Sequence, residues 1–256
     1  MGVRGLLSYC NPIRRHADMK ARGLKIGVDG FSLFYLFRED KDAFKAYFER
    51  VKLCGTLTVV IDKRAAKEKK ETVQERKDAR AEAKAEASTL TSFTQTPEFE
   101  LLDEKSQAVL DRLIAQRERA AWCLYPEYMK WFLDMLKSLD IPAVWAKEEA
   151  DSELARGEYD VVISSDSDML ILGARCLWLP RADGKHGEIH GNEFRSFLGL
   201  ERDQLFQMAY LAGCDIQPKS LMSLSQAVSR LRFYGSIYAI NSKHPEVVSS
   251  ADVAGY

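Results

Sequence analysis

The hydrophobic positions of this chain follow two different periods. Leu24-Lys25-Ile26-Gly27-Val28, Leu57-Thr58-Val59-Val60-Ile61 and Val161-Val162-Ile163-Ser164-Ser165 are short, nearly continuous apolar runs rich in β-branched residues. Runs of this kind predict strands covered on both faces, as in a parallel sheet. A further strand is expected from Ile141 to Ala146. Helical spacing takes over at about 106–118 and again at about 125–139, where Tyr128, Trp131, Phe132, Met135 and Leu136 make one apolar face. Between the first two strands lies an aromatic-rich helical stretch with Phe31, Phe34, Tyr35, Phe37, Phe44, Tyr47 and Phe48. Residues 1–62 thus read as a short helix, strand, helix and strand.

The pattern changes abruptly after Asp62. Lys63-Arg64-Ala65-Ala66-Lys67-Glu68-Lys69-Lys70 leads into Arg76-Lys77-Asp78-Ala79-Arg80-Ala81-Glu82-Ala83-Lys84. This is a charged, alanine-rich helix former with too few large apolar residues to join a core. Residues 88–105, through Pro97, read as a loop or mobile tip. The segment 63–120 therefore reads as an insertion that leaves the sheet and returns to it. From 216 onward the signal is weaker helix and loop.

Each strand-like run ends on an acid. Asp29 follows the first, Asp62 the second, and Asp166 and Asp168 the third, while Glu149, Asp151 and Asp215 sit at the edges of helical segments. The carboxyl ends of parallel strands line the ligand crevice of an open α/β sheet. Converging carboxylates repel one another and are costly to desolvate, but become favourable around a hard divalent cation. Two such ions about 3.5–4 Å apart can clamp a phosphodiester and activate water. Taken singly, an Asp at a strand end reads equally well as a helix cap. Residues two apart in a regular helix diverge, so Glu149 and Asp151 can serve one ion only if they precede or begin their helix.

Bulk properties change this picture little. A length of 256 residues suits one large α/β domain or a core with an inserted module, and 46% hydrophobic content supports a sizeable core. Net charge is −1. With the seven acids neutralised by metal, the remaining surface would be basic. The five cysteines (Cys10, Cys54, Cys123, Cys176 and Cys214) are scattered without a CxxC, which points to a reducing, intracellular compartment, nucleus or cytoplasm. No apolar run is long enough for a membrane span, and no secretory leader is visible. His186 and His190 lie four apart, but Gly187 and Gly184 argue for a loop there and against a zinc site. Cys214, beside the last acid, reads as a small buried filler.

These residues resemble the flap endonuclease/XPG family of structure-specific 5′ nucleases. Met1-Gly2-Val3-Arg4-Gly5-Leu6-Leu7 is similar to that family's amino terminus, and Val28-Asp29-Gly30 and Val60-Ile61-Asp62 to its first two acidic strand ends. Glu149-Ala150-Asp151-Ser152 resembles its Glu-Ala-Glu-Ala, with Asp in the second acidic place. Ser165-Asp166-Ser167-Asp168 resembles its paired aspartates, and Leu211-Ala212-Gly213-Cys214-Asp215 its Gly-x-Asp segment. In the insertion, Lys69 and Arg76 stand at the distances from the second acid where the family carries a catalytic Lys and Arg, and Arg80 fits a further basic position. Tyr35 falls where the family has an aromatic that stacks on a nucleobase. Positions 69, 73, 76 and 80 share one face of a helix, so these bases would form a stripe. The bland alternatives are a solvated helix laced by i,i+4 ion pairs and a Tyr35 that is simply core.

The resemblance implies an α/β, PIN-like fold with a mostly parallel, twisted central sheet, helices on both faces and an inserted helical arch. It implies a single nuclease domain over 1–256, with nuclease parts at 1–62 and about 121–215, an arch at about 63–120, and a degenerate helix-turn-helix tail at 216–256. The function implied is phosphodiester hydrolysis in DNA or RNA with two Mg²⁺ or Mn²⁺ ions. Asp29, Asp62 and Asp151 would contribute to one ion and Asp166, Asp168 and Asp215 to the other, with Glu149 acting directly or through water. Lys69 and Arg76 would act on the scissile phosphate, while Gly2, Tyr35 and Arg80 would contact nucleic acid, either single-stranded or flapped. A silent, nuclease-like RNA-binding regulator is the alternative. Two departures stand out. Residues 216–224 contain no glycine where the family's duplex-binding turn has Gly-x-Gly, and no sliding-clamp peptide is visible.

Overall fold

The computed structural model describes residues 3–20, 23–38, 40–63, 70–147, 149–181, 183–214, 217 and 219–255. They divide into two compact units, 1–66 with 133–256, and 67–132.

The first unit is built on a seven-stranded sheet. In chain order its strands are β1 (Arg15–His16), β2 (Leu24–Asp29), β3 (Gly55–Ile61), β4 (Ala143–Trp145), β5 (Val161–Ile163), β6 (Cys176–Pro180) and β7 (His186–His190). Across the sheet the order is β1-β7-β6-β5-β2-β3-β4. The five strands from β6 to β4 are parallel, and β7 and β1 add antiparallel at one edge. The sheet is therefore mostly parallel, as expected, and β2, β3 and β5 lie side by side with Asp29 closing β2.

The two faces of the sheet have different coverings. Val60, Val162, Leu177, Leu179 and Ile189 alternate onto one face, where they join a core supplied by α1 (Leu6–Tyr9), α8 (Ala150–Arg156), α9 (Asp168–Leu172), α10 (Gly191–Leu198), α11 (Arg202–Ala212), α12 (Leu224–Tyr234) and α13 (Ile237–Lys243). On the other side, α2 (Gly30–Phe37) and α3 (Lys41–Lys52) supply an aromatic layer. Phe37 stacks on Phe44 at 4.9 Å between ring centres and lies 5.0 Å from Tyr47. Gly30 is what allows α2 to start directly against β3. A Cβ there would sit 3.2 Å from Val59 and 3.3 Å from Ile61. A short helix α14 (Ser250–Gly255) follows α13.

The second unit is helical. It holds α4 (Lys70–Phe93), α5 (Pro97–Glu100) and α6 (Glu104–Ala121), and the boundary falls inside α7 (Pro126–Ser138). At 1.5 Å per residue, α4 is about 36 Å long. Among its described side chains the buried ones are Ala83 and Ala87, four apart, so there the helix packs on α6 through small residues. Arg117 on α6 pairs with Glu86 on α4 at 2.8 Å. No described helix is long and apolar enough to cross a membrane.

Three sequence expectations need correction. Residues 88–93, read as part of a loop, continue α4. The hydroxyls that suggested a loop fold back onto the helix: Thr89 Oγ1 donates to the Ala85 carbonyl at 3.1 Å and Ser92 Oγ to that of Ser88 at 2.9 Å. The stretch 97–100 is also helical, leaving short turns between. His186–His190 is a strand, not a loop. Gly184, at φ +73°, makes the β6–β7 turn, and Gly187 is merely a small residue within β7. The aromatic stretch after β2 is two helices, because Arg38 at φ 48° ends α2 and Asp40 caps α3 by accepting from the Ala43 amide at 2.9 Å.

Candidate active site

The acids gather at the carboxyl edge of β2, β3 and β5. Asp29 is 7% exposed. Its Oδ1 accepts from the Ser32 amide at 3.2 Å, and its Oδ2 accepts from Ser164 Oγ at 2.9 Å. Ser164 is fully buried, and its Oγ accepts in turn from the Asp166 amide at 3.0 Å. Ser32 Oγ accepts from the Ser165 amide at 2.6 Å and lies 2.9 Å from Ser165 Oγ. A seryl bridge thus joins the end of β2 to the end of β5 and holds Asp29 and Asp166 in one framework. Ser32, Ser164 and Ser165 were not singled out from the sequence. The only signal for them is a pair of hydroxyls at the end of an apolar run, just before the acids.

The other acids are fastened the same way. Asp62 follows β3, and its Oδ1 accepts from the Ala150 amide at 2.6 Å. It therefore caps α8, whose own N-cap residue, Glu149, makes no side-chain capping bond. Glu149 and Asp151 stand at the N-cap and second position of α8, the arrangement required if both are to face one ion. Asp166 Oδ1 accepts from the Asp168 amide at 2.9 Å, and Asp168 Oδ1 accepts from the Val3 amide at 2.9 Å. The amino-terminal segment is thereby docked on the last of these acids through the buried Val3. Asp29, Asp62, Asp166 and Asp168 thus each use an oxygen for a backbone or seryl donor.

Burial, and to a smaller degree charge repulsion, act on Asp29. Burial pushes its carboxyl up from 3.8 to about 6. The Ser164 and Ser32 hydrogen bonds pull it down, and the neighbouring Asp62 and Asp166 carboxylates push it up again. Among the described residues, no three of these acids bring oxygens within 4.8 Å of one another. Like charges spaced by backbone donors adopt this spread arrangement.

The remaining site expectations distribute as follows. Gly2, Lys69 and Asp215 lie outside the described residues, as does the side chain of Arg76, whose backbone belongs to α4. Arg80 is on α4, half-buried. Tyr35 is on α2 and 42% exposed, so it is not a core residue. Cys214 is a half-buried free thiol.

The XPG I-region family model matches residues 140–215, the segment that carries Glu149, Asp151, Asp166 and Asp168. Among curated proteins, the chain is 27% identical over 243 residues to exodeoxyribonuclease 1 of Schizosaccharomyces pombe, covering 84% of this chain and 39% of that protein. It is 30% identical over 112 residues to flap endonuclease GEN homolog 1 of Mus musculus, covering 40% of this chain and 12% of that protein. Over these segments the chain is similar to the XPG/flap endonuclease family. Its fold is similar to that of the catalytic core of Rad2 in complex with DNA substrate, with a TM-score of 0.65 at 16% identity, covering 96% of this chain and 72% of that one. The chain spans well under half the length of either curated relative.

An oxygen-only donor set with one raised carboxyl suits a hard divalent cation, which would offset the burial and the repulsion that lift Asp29. In chemistry, the residues of this acidic site fit such an ion.

Proposed function

We propose that the protein is a divalent-metal-dependent nuclease that hydrolyses phosphodiester bonds in DNA at the acidic cluster. The observation that carries this reading is the convergence of Asp29, Asp62 and Asp166 at the ends of three neighbouring parallel strands, close enough that the second and third raise the carboxyl of the first. The relatives, an exodeoxyribonuclease and a flap endonuclease by name, favour DNA over RNA.

When bound, two Mg²⁺ or Mn²⁺ ions would supply Lewis acidity to the phosphate and lower the pKa of water. Asp29, Asp62 and Asp151 are proposed to hold one ion and Asp166, Asp168 and Asp215 the other, with Glu149 contributing directly or through water. The serine framework of Ser32, Ser164 and Ser165 fixes the orientation of Asp29 and Asp166, which is the role second-layer hydrogen bonds play at metal sites. Lys69 and Arg76 are proposed to neutralise the scissile phosphate, Arg80 to bind the strand, and Tyr35, with its exposed ring, to stack on a base. Gly2 precedes the residue docked on Asp168, and its lack of a side chain would leave room for a strand there.

The test is purified protein with Mg²⁺ or Mn²⁺ on labelled single-stranded, flapped and duplex DNA and RNA, with product ends mapped. The account expects DNA cleavage that requires the divalent ion. Binding without cutting in Mn²⁺ would support a silent nucleic-acid-binding protein instead.

A further inference from the structure

A second group of ligating side chains lies on the β6–β7 hairpin. In the antiparallel register Cys176 is opposite His190 and Trp178 is opposite Glu188. Alternation therefore puts Cys176, Glu188 and His190 on one face of the sheet. Their ligand atoms all lie within 4.8 Å of one another. Cys176 is buried, at 4% exposure, whereas the His190 side chain is 44% exposed.

The carboxylate is already oriented. Trp178 Nε1 donates to Glu188 Oε2 at 2.8 Å, while Oε1 lies 2.9 Å from His190 Nε2. Glu193, on the first turn of α10, adds negative potential at the thiol and is itself held by Arg15 at 2.7 Å. Burial and these two carboxylates push the Cys176 thiol up to about 12, so without a cation the sulfur stays protonated.

We propose that Cys176, Glu188 and His190 form a binding site for one borderline-soft divalent ion of the Zn²⁺ class. The donor set decides the class. Thiolate, imidazole and carboxylate together suit Zn²⁺, whereas Mg²⁺ and Ca²⁺ take oxygen. Thiolate and carboxylate would balance the ion's two charges, and the exposed edge of His190 leaves a fourth position open to water. A tetrahedral zinc holds its ligand atoms roughly 3.5 Å apart, so His190 Nε2 and Glu188 Oε1, 2.9 Å apart without the ion, would separate on binding.

The site is separate from the acidic one. By the β5–β6 register, Cys176 stands at the amino end of its strand, before the pair Val162–Leu177, while Asp166 follows the carboxyl end of β5. The ion would fasten β6 to β7 and needs no part in hydrolysis.

The test uses metal-stripped full-length chain titrated with Zn²⁺ against a chromophoric chelator, and with Co²⁺ to read thiolate-to-metal absorption. The expected result is one equivalent of Zn²⁺, a thiolate band with Co²⁺, and no displacement by excess Mg²⁺. Cys176→Ser and His190→Ala should lose the band and weaken Zn²⁺ binding by about 100-fold or more. Trp178→Phe should weaken it roughly tenfold. Cys123→Ser and Asp166→Asn should keep the band. Because Cys176 is buried, the half-exposed His190→Ala variant guards against a folding failure. No thiolate band in the wild type, or a band that survives both Cys176→Ser and His190→Ala, would overturn the proposal.

Discussion

Two ends of one sheet carry ligating groups, and they are built on opposite principles. At the carboxyl ends of β2, β3 and β5 the proposed ligands are all carboxylates, and Asp29, Asp62, Asp166 and Asp168 are tied by donors from Ser32, Ser164, Ala150, Asp168 and Val3. At the β6–β7 hairpin the groups are mixed in charge and kind, and they approach one another directly. The difference follows from electrostatics. Like charges need neutral spacers until a cation arrives, whereas a thiol, an imidazole and one carboxylate attract or tolerate each other without one. The first end is therefore suited to reactive hard cations and the second to a fixed, softer one.

The largest effect should come from the acids. Asp166→Asn and Asp168→Asn retain an acceptor for the Asp168 and Val3 amides, so the fold should survive. Cleavage should fall by a thousandfold or more, in keeping with the ~4 kcal/mol or more that metal stabilisation of transition-state charge can supply. Single-turnover assays with a parallel thermal melt check both statements. An intermediate effect is expected from the bases: Lys69→Ala and Arg76→Ala should lower turnover roughly 100-fold with little change in substrate affinity, and Arg80→Ala should do less. If charge reversal at 69 and 76 leaves turnover unchanged, α4 is a solvated surface only.

A smaller effect is expected on stability, and its sign is informative. The Asp29 carboxyl is raised from 3.8 to about 6, so its ionisation opposes folding. Stability is lost as pH rises from 3.8 through 6, by about 3 kcal/mol at most. His186 works the other way. It is buried against Tyr47, whose hydroxyl lies 2.6 Å from Nε2, and burial with the nearby Arg50 lowers it from 6.5 to about 4. Its contribution is full above pH 6.5 and is lost as pH falls toward 4. Over pH 4–6 the two trends oppose each other. Asp29→Asn should remove one of them, so the metal-free variant should melt higher than wild type at pH 7 and lose stability more steeply on acidification. The gain at pH 7 is tempered because an amide has one oxygen for the two donors Ser32 and Ser164. Mn²⁺ should raise the melting temperature of wild type more than that of Asp29→Asn. Equal shifts with Mn²⁺ would remove Asp29 from the ion.

The smallest effect concerns the tail. Side chains in 216–224, where the family's turn has glycines, would obstruct close approach of backbone amides to a phosphate. Binding should then favour a single strand over a matched flapped duplex, with a shallow dependence on salt. A steep salt slope with strong duplex preference would mean that the tail grips duplex by another route.

The parts of the molecule legible in the sequence were those where local composition and tertiary role agree. β2, β3 and β5 are buried parallel strands and look it, so Asp29, Asp62 and Asp166 were found at their ends. The seryl framework was not legible, because Ser32 and Ser165 meet across 133 positions of chain. Cys176 and His190 were likewise hidden, since only the cross-strand register brings them together. β7 was obscured by Gly187 and two histidines, which read as loop residues until Tyr47 and Trp178 are seen packed on His186. The end of α4 was obscured because Ser and Thr favour loops unless, as here, they bond their own helix.

The most direct test of the central claim is Mn²⁺-dependent cleavage of a labelled flapped DNA by wild type, Asp166→Asn and Cys176→Ser, with folding verified in each. The account predicts cutting by wild type and Cys176→Ser at similar rates and none by Asp166→Asn. Undiminished cutting by Asp166→Asn would contradict it.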